Sequence, residues 1–206
     1  MVARDGYPVL LAGVGLTSLF YALDFPWIAL VFLLGTGFVA WFFRDPERPI
    51  PADEAAIVSP ADGKVVRIAS LDPSNPRAGR ILSIFLSPLD VHVNRSPIAG
   101  RITDVQHHPG SFRPAMKDEA SVVNEQTVIT ISGEKTEVIV KQIAGILARR
   151  IVCWKRVGET VQKGERIGLI KFGSRADVIL SPDTEIVVRP GDRVRAGSSI
   201  IARIQS

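Results

Sequence analysis

The sequence predicts a mainly β protein, a compact sandwich or barrel-sandwich of short strands with glycine turns, preceded by an N-terminal helical hairpin suited to a membrane. Three observations carry that prediction. Short β-branched runs alternate with Gly, Pro and Asp punctuation after residue 44, a ten-residue unit with fixed glycines occurs twice, and the apolar excess lies almost wholly before Arg44.

The 206 residues suffice for one compact domain plus an appendage. Apolar residues are 46% of the chain and the mean hydropathy is +0.21, high for a wholly soluble protein. The place of the excess therefore sets the organisation: residues 1–44 as membrane-anchoring segments and 45–206 as a soluble domain. From Pro8 to Leu23 the chain is almost free of charge, Asp24 interrupts it, and Phe25 to Phe43 is again uncharged. At about 1.5 Å per residue these stretches reach roughly 24 and 28 Å against a hydrocarbon core of about 30 Å, so the second is expected to cross and the first is marginal. The second ends in Trp41-Phe42-Phe43-Arg44, an aromatic-then-basic membrane edge. A signal peptide would show one short apolar core and a small-residue cleavage site; here a longer apolar run follows at once. The favoured arrangement is a hairpin dipping into the cell membrane, with Arg4 and Arg44/Arg48 on its cytoplasmic face together with the soluble domain. A single crossing is the alternative.

The linker Asp45-Pro-Glu-Arg-Pro-Ile-Pro51 cannot continue a helix. Beyond it, Lys64–Ile68, Ile81–Leu86, Thr127–Ile131, Glu137–Ile143, Ile167–Phe172, Asp177–Leu180 and Glu185–Val188 read as strands, and only Ala144–Arg150 as a short helix. Gly158-Glu-Thr-Val161-Gln-Lys-Gly164-Glu-Arg-Ile167 matches Gly191-Asp-Arg-Val194-Arg-Ala-Gly197-Ser-Ser-Ile200 in the register of Gly, Val, Gly and Ile. That pattern is similar to biotinyl- and lipoyl-type β-sandwiches and barrel-sandwich hybrids, and its glycines are read as turns, hence as architecture.

The formal charge is +4 and the pI about 9.5, but the basic residues are scattered and not interleaved with aromatics. Nucleic acid is therefore not expected as a partner, and an anionic lipid surface is. The single cysteine, Cys153, excludes an intrachain disulfide and reads as a small hydrophobe in its apolar run. His92, His107 and His108 form no HxH or HExxH pair, so no metal is expected. There is no GxSxG elbow.

One junction offers an electrophile that no side chain supplies. At Phe172-Gly173-Ser174-Arg175 the serine hydroxyl can attack the preceding carbonyl, turning the peptide into an ester, and glycine tolerates the close approach. Elimination of that ester leaves dehydroalanine, which hydrolyses to a pyruvoyl group and ammonia. A Gly-Ser pair alone is usually a turn. Here it follows, in order, Phe43-Arg44-Asp45-Pro46, Ser59-Pro-Ala-Asp62-Gly-Lys-Val65, Pro88-Leu-Asp90-Val-His92-Val-Asn94-Arg95-Ser-Pro97, Pro109-Gly-Ser-Phe112 and Asn124-Glu125.

This constellation closely resembles the phosphatidylserine decarboxylases, in particular their short, archaeal-like branch, from Arg44 to Asp177. The resemblance implies a proenzyme that cuts itself at Gly173–Ser174 into a β chain (1–173) and an α chain (174–206). These would stay together as a heterodimer, with further oligomerisation left open. It implies a covalent pyruvoyl cofactor from Ser174, which decarboxylates phosphatidylserine in an anionic membrane to phosphatidylethanolamine through a Schiff base, the conjugated carbonyl acting as electron sink. His92 is the expected acid–base residue, since a histidine titrates near neutrality. Asp62 would orient or charge-stabilise the self-cleavage machinery, although an Asp in such a turn commonly makes only an Asx-turn.

In longer members a second histidine stands where this chain has Arg95, whose pKa above about 12 excludes general-base work. Either His92 serves both steps, or His107/His108, otherwise loop residues, contribute. Arg95 and Arg175 are candidate ligands of the substrate phosphate or carboxylate. The competing reading is a membrane-tethered adaptor or lipoyl-like carrier, for which Lys163 is the one hairpin-tip lysine; a zinc metallopeptidase lacks its paired histidines.

Overall fold

The computed structural model describes all residues except 76–77, 118, 147–149, 172 and 206. Strand makes up 38% and helix 20%, so the protein is mainly β as expected. The chain divides into two compact units, Met1–Glu47 and Arg48–Ser206.

In the first unit a 3-10 turn at Arg4–Gly6 leads into α1 (Tyr7–Ala22), and α2 (Pro26–Phe42) follows. Both helices carry a proline in the first turn, Pro8 and Pro26, where its missing N–H costs nothing. Asp24 turns the chain at φ 60°, a conformation Asp tolerates. The two helices pair as a hairpin: Phe20 stacks on Phe32 at 5.3 Å. A Cβ at Gly13 would lie 2.2 Å from Thr36 Oγ1, so their approach depends on that glycine. Ala3 N donates to Phe43 O (2.8 Å), placing Arg4 and Arg44 at the same end. The hairpin is therefore present, with one correction. The helices have 16 and 17 residues, about 24 and 26 Å, and no described helix is long and apolar enough to cross a membrane. Pro26 opens α2 and Phe43 caps it, so the helix is shorter than the uncharged run.

The second unit contains β1 (Ala56–Val58), β2 (Gly63–Ser70), β3 (Arg80–Leu86), β4 (Val93–Arg95), β5 (Gly100–His108), the single-turn α3 (Ala120–Val123), β6 (Gln126–Ser132) and β7 (Glu137–Ile143). Then come β8 (Ile151–Cys153), β9 (Thr160–Val161), β10 (Arg166–Ile170), β11 (Ser174–Leu180), β12 (Thr184–Ile186), β13 (Arg193–Val194) and β14 (Ile200–Ile204). The expected strands are all represented, though Phe172, the expected end of one, lies outside the described residues. Two expectations are corrected. His107 and His108 are strand residues, paired with Thr127 and Gln126, not loop residues. No helix forms at 144–146, where Ala144 is instead bonded to Glu125 O; 147–149 lie outside the described residues.

Eight strands in the order β13-β2-β3-β11-β7-β6-β5-β9 form a sheet curled into a half-barrel, flanked by two three-stranded sheets, β1-β14-β12 and β4-β10-β8. Ile57, Leu82, Ile84, Ile102, Ile129, Ile131, Val140, Ile167, Val178 and Leu180 fill the core between them.

The strand order is a palindrome, because the domain is an internal duplication. Ser59-Pro-Ala-Asp-Gly63-Lys-Val65 corresponds to Ser96-Pro-Ile-Ala-Gly100-Arg-Ile102, and the two glycine-turn units correspond likewise. The hydrogen bonds repeat with the sequence. Ser59 Oγ donates to Ala61 O and Ser96 Oγ to Ile98 O, each at 2.7 Å. Gly197 N donates to Ser59 O as Gly164 N does to Ser96 O, and Gly191 N to Val65 O as Gly158 N does to Ile102 O, all at 2.8 Å. The four turn glycines all have positive φ, 75° to 104°. In chain order one copy is β1-β2-β3 followed by β11–β14, and the other, β4–β10, is inserted within it. Ser174 is the residue at which the inserted copy hands the chain back to its host.

Candidate active site

Ser174 opens β11, paired with Leu86 of β3; the next residue, Arg175, pairs with Phe85 and with Ile143 of β7. Gly173 stands at φ 58°, a left-handed conformation that favours glycine, directly before the strand. Phe172, the first residue of the motif, lies outside the described residues. Ser174 is fully buried, and among the described residues no group accepts from or donates to its Oγ. A buried hydroxyl without a partner carries a desolvation cost of about 1–3 kcal/mol and calls for a chemical explanation.

The described parts of a segment beside this junction, 109–117 and 119–125, are referred to as its lid. Ser111 N donates to Val123 O (2.7 Å) and Glu125 N to Ser111 O (3.0 Å). Asn124, almost fully buried, binds Arg113 O (2.8 Å) and Ala144 O (2.7 Å) through Nδ2, and its Oδ1 accepts from Arg113 N (3.0 Å). The lid is also tied to β11 from beneath. Ser121 Oγ donates to Asp177 Oδ2 at 2.7 Å, and Arg175 Nη1 to Lys117 O at 3.3 Å.

Arg175 is 0% exposed. Its Nε donates to Asp177 Oδ1 (2.6 Å) and its Nη2 to Ser83 Oγ (2.6 Å). A guanidinium held in this way cannot reach a lipid phosphate without dismantling the network, so the expected role as substrate ligand gives way to a framework role. Arg95 is also buried, with Nη1 donating to Gly164 O at 3.0 Å, and its Cδ would be 2.9 Å from a Cβ at Gly197. It packs between the turn glycines of the two copies.

His92, fully buried with both ring nitrogens inside, precedes β4. Its carbonyl accepts from Ile170 N (3.2 Å), and Ile170 packs on Ala144, one residue beyond the ladder partner of Arg175. The neighbouring Asn94 holds β4 over β7, accepting from Gln142 Nε2 at 2.8 Å. His92 is thereby brought near the junction.

Asp62 is not. Gly63 pairs with Val194, Lys64 with Phe85, and Leu86 with Ser174, so β2 lies two strands from β11, about 10 Å at 4.8 Å per strand. Its carboxylate accepts from Ala196 N (2.8 Å) and Arg48 Nη2 (2.7 Å), and it makes no Asx-turn. It lines a polar cleft of about 590 Å³ with Asp90, Arg193, Ser198 and Ser199. Burial pushes its carboxyl above the usual range, Asp90 adds to the rise, and the Ala196 N–H and Arg48 oppose it. Among the described residues, then, Asp62, His92 and Ser174 form no hydrogen-bonded relay. Lys163, the carrier-type lysine, donates Nζ to Asp53 O. Cys153 is half-buried, and burial pushes its thiol up, away from the reactive thiolate.

The sequence model of the phosphatidylserine decarboxylase family matches residues 36–202, a stretch that contains the junction, the lid and the cleft. The chain belongs to the phosphatidylserine decarboxylase family. Among relatives, the phosphatidylserine decarboxylase proenzyme of Solibacter usitatus is 56% identical over 179 residues, 86% of this chain and 84% of that protein. Those of Symbiobacterium thermophilum (47% over 210 residues; 99% and 96%) and Desulfotalea psychrophila (43% over 208 residues; 98% and 96%) span nearly both full lengths. Each of these relatives is named a proenzyme, a precursor that awaits processing.

Sequence reasoning singled out Asn124 only as part of a motif, and missed Gly145, Ser83, Ser121 and Asp177. For Asp177 a signal existed: a strand places residues two apart on one face, so Arg175 and Asp177 were legible as a pair.

Proposed function

We propose that this protein is a proenzyme that cleaves itself between Gly173 and Ser174 and, so processed, converts phosphatidylserine to phosphatidylethanolamine and CO₂. Family membership supports the reaction. The observation that carries its location is the buried Ser174 hydroxyl, without a partner among the described residues, directly after a left-handed glycine whose carbonyl meets the backbone of Gly145; the Gly197–Ser198 pair shares the first two features but not the third.

Ser174 Oγ attacks the Gly173 carbonyl. The Oγ–C bond forms, the C–N bond breaks, and the hydroxyl proton ends on the Ser174 nitrogen. Loss of the Ser174 α-proton then expels the Gly173 carboxylate, and water replaces the nitrogen, which leaves as ammonia. The residues fit the pyruvoyl group this makes, because position 174 is enclosed and holds no competing hydrogen bond. The group supplies a ketone that captures the substrate amine and takes up the electron pair released with CO₂. The chain does the rest. His92 moves protons at the substrate α-carbon, its imidazole being the side chain that titrates near neutrality, and the lid keeps water from the reacting atoms. Asp62 acts from the neighbouring cleft, and Arg95 and Arg175 hold the frame.

The partner surface is an anionic membrane, met at the cytoplasmic face of the cell membrane. Leu89, Met116 and Ile146 are 66%, 64% and 55% exposed, and each follows a residue that borders the junction. Pro88 lies 3.9 Å from the Cβ position of Gly173, and Ala115 and Gly145 are neighbours. Apolar side chains around the mouth suit a substrate delivered from a bilayer. In this reading 1–44 anchors the chain and 45–206 is the decarboxylase.

The test is the intact mass of purified protein. Pieces of about 19 and 4 kDa are expected, in proportion to the 22.4 kDa of the whole chain, with a blocked N-terminus at residue 174 and no split in Ser174→Ala. An unbroken chain with full decarboxylase activity refutes the proposal.

A further inference from the structure

The Gly173 carbonyl has a neighbour that neither catalysis nor chain connectivity requires. A Cβ built at Gly145 would stand 2.0 Å from Gly173 O and 3.2 Å from Gly173 C, where real Cβ atoms do not come within 3.0 Å. The backbone at 145 therefore lies flat against the bond that must be attacked, and only glycine permits it.

Which side would yield to a side chain is decided by what anchors each. The Ala144 N–H donates to Glu125 O (2.9 Å) and the Ala144 carbonyl accepts from Asn124 Nδ2 (2.7 Å). Asn124 is itself 1% exposed and fixed on both amide atoms by Arg113. On the other side, Gly173 lies outside β11, and among the described residues only Pro88 Cγ comes within 4 Å of its Cβ position, at 3.9 Å. The 144–145 peptide is the fixed partner and the scissile carbonyl the movable one. The two glycines serve different ends: Gly173 is needed for its dihedral angle, Gly145 for space.

We propose that the Ala144–Gly145 backbone, pinned by Asn124, is the wall that holds the Gly173 carbonyl in register for attack by Ser174, making Gly145 a positioning residue for self-cleavage. The inference rests on the self-cleavage reading. During the shift the carbonyl carbon must stay within reach of Oγ while the C–N bond breaks. A methyl at 145 displaces the carbonyl by about 1 Å, and a misplacement of that size costs about 100-fold in rate.

The test uses the full chain as wild type, Gly145→Ala, Asn124→Ala and Gly145→Ala with Ala115→Gly. Self-cleavage is followed by denaturing gel, folding by thermal unfolding, and the ester by fragmentation in neutral hydroxylamine, which splits an ester but not a peptide. The expected result is that Gly145→Ala cleaves about 100-fold more slowly, with no fragments released by hydroxylamine. Asn124→Ala, which adds no atoms, should also slow cleavage and lower the hydroxylamine-sensitive fraction, and it decides the matter should Gly145→Ala not fold. Trimming Ala115, whose Cβ is 3.3 Å from the added methyl, should not rescue, because the obstruction is the carbonyl. Cleavage of folded Gly145→Ala within threefold of wild type, hydroxylamine release from it, rescue by Ala115→Gly, or a wild-type ester fraction in Asn124→Ala overturns the inference. A wild-type chain that decarboxylates without cleaving instead overturns the self-cleavage reading, a separate outcome.

Discussion

Removing the Asp177 carboxylate is the most demanding test of the site's frame. Arg175 and Asp177 are both 0% exposed and joined at 2.6 Å, with Ser83 and Ser121 completing the network. Asp177→Ala leaves a guanidinium buried without its counter-charge, and breaking one partner of such a pair costs about 3–5 kcal/mol. For a chain of this size each kcal/mol moves Tm by about 2–4 °C, so a fall of roughly 6–20 °C is expected. The Ser174→Ala background keeps the chain whole and the transition interpretable. The double replacement Arg175→Met, Asp177→Ala removes both charges and should recover much of the loss, since apolar substitutes for a whole buried pair are often neutral. The lid gives a second readout: its tie to β11 through Ser121 goes with Asp177, so protease nicking within 111–124 should rise. Single and double variants that melt together, or a single variant within 1 kcal/mol of its parent, would refute the view that this pair anchors the site.

Three further outcomes follow from the geometry. Burial raises the folded pKa of Asp62 above the ordinary aspartate value of 3.8, so the folded state holds that proton more tightly. Stability should therefore fall as pH rises from 3.8 through the raised pKa and stay lower above it. Relative to Asp62→Asn, wild-type Tm should decline across that window, and the opposite slope would show the carboxylate to be net stabilised by Arg48. After cleavage the α chain should co-elute with the β chain in size exclusion until denaturant is added, because β11 pairs on both sides, β13 with β2 and β14 with β1. The only break found by mass should precede Ser174. Finally, Met116→Glu with Ile146→Glu should raise KM for bilayer phosphatidylserine by about a hundredfold, since two side chains each contributing about 1.5 kcal/mol on burial in lipid together contribute about 3 kcal/mol. Turnover of a dispersed short-chain substrate should be unchanged. Equal losses on both substrates would place these residues in the fold, not at a lipid surface.

The strands of the core were legible because β-branched runs stop at Gly, Pro and Asp, as Glu137–Ile143 does. β5 was not, since Ile102 and Val105 are its only aliphatic side chains and the rest of it, Arg101 to His108, is polar. Its place is dictated by pairing with β6. Ser174 was readable only from the order of motifs, a Gly-Ser pair being weak by itself. Arg175 looked like a surface cation because arginine usually is one; its burial depends on Ser83 from a strand far away in sequence. Gly145 was invisible for a plainer reason: its need for space arises only when Gly173 is folded against it.

The duplication supports the junction, rather than its counterpart in the other copy, as the proposed place for a break. Val65 pairs with Ile84 and Ala176 with Ile84, as Ile102 pairs with Ile131 and Val138 with Ile131. Thr136 therefore occupies in the inserted copy the place of Ser174 in the host. Both hydroxyls are buried and, among the described residues, partnerless. Yet the two sites differ in what precedes and faces them. Before Thr136 stands Lys135, without the positive φ of Gly173, and the turn is closed by Gly133 N donating to Thr136 O at 2.9 Å. Of these two corresponding positions only Ser174 has the wall and the left-handed glycine, while the Ser198 hydroxyl, also buried without a partner among the described residues, follows a left-handed glycine packed on the Arg95 and Ile50 side chains. Cutting at Ser174 severs a connection between the two copies, and the strands after it remain paired with β1, β2, β3 and β7. The loss of that bond therefore leaves the pairing of the fold in place.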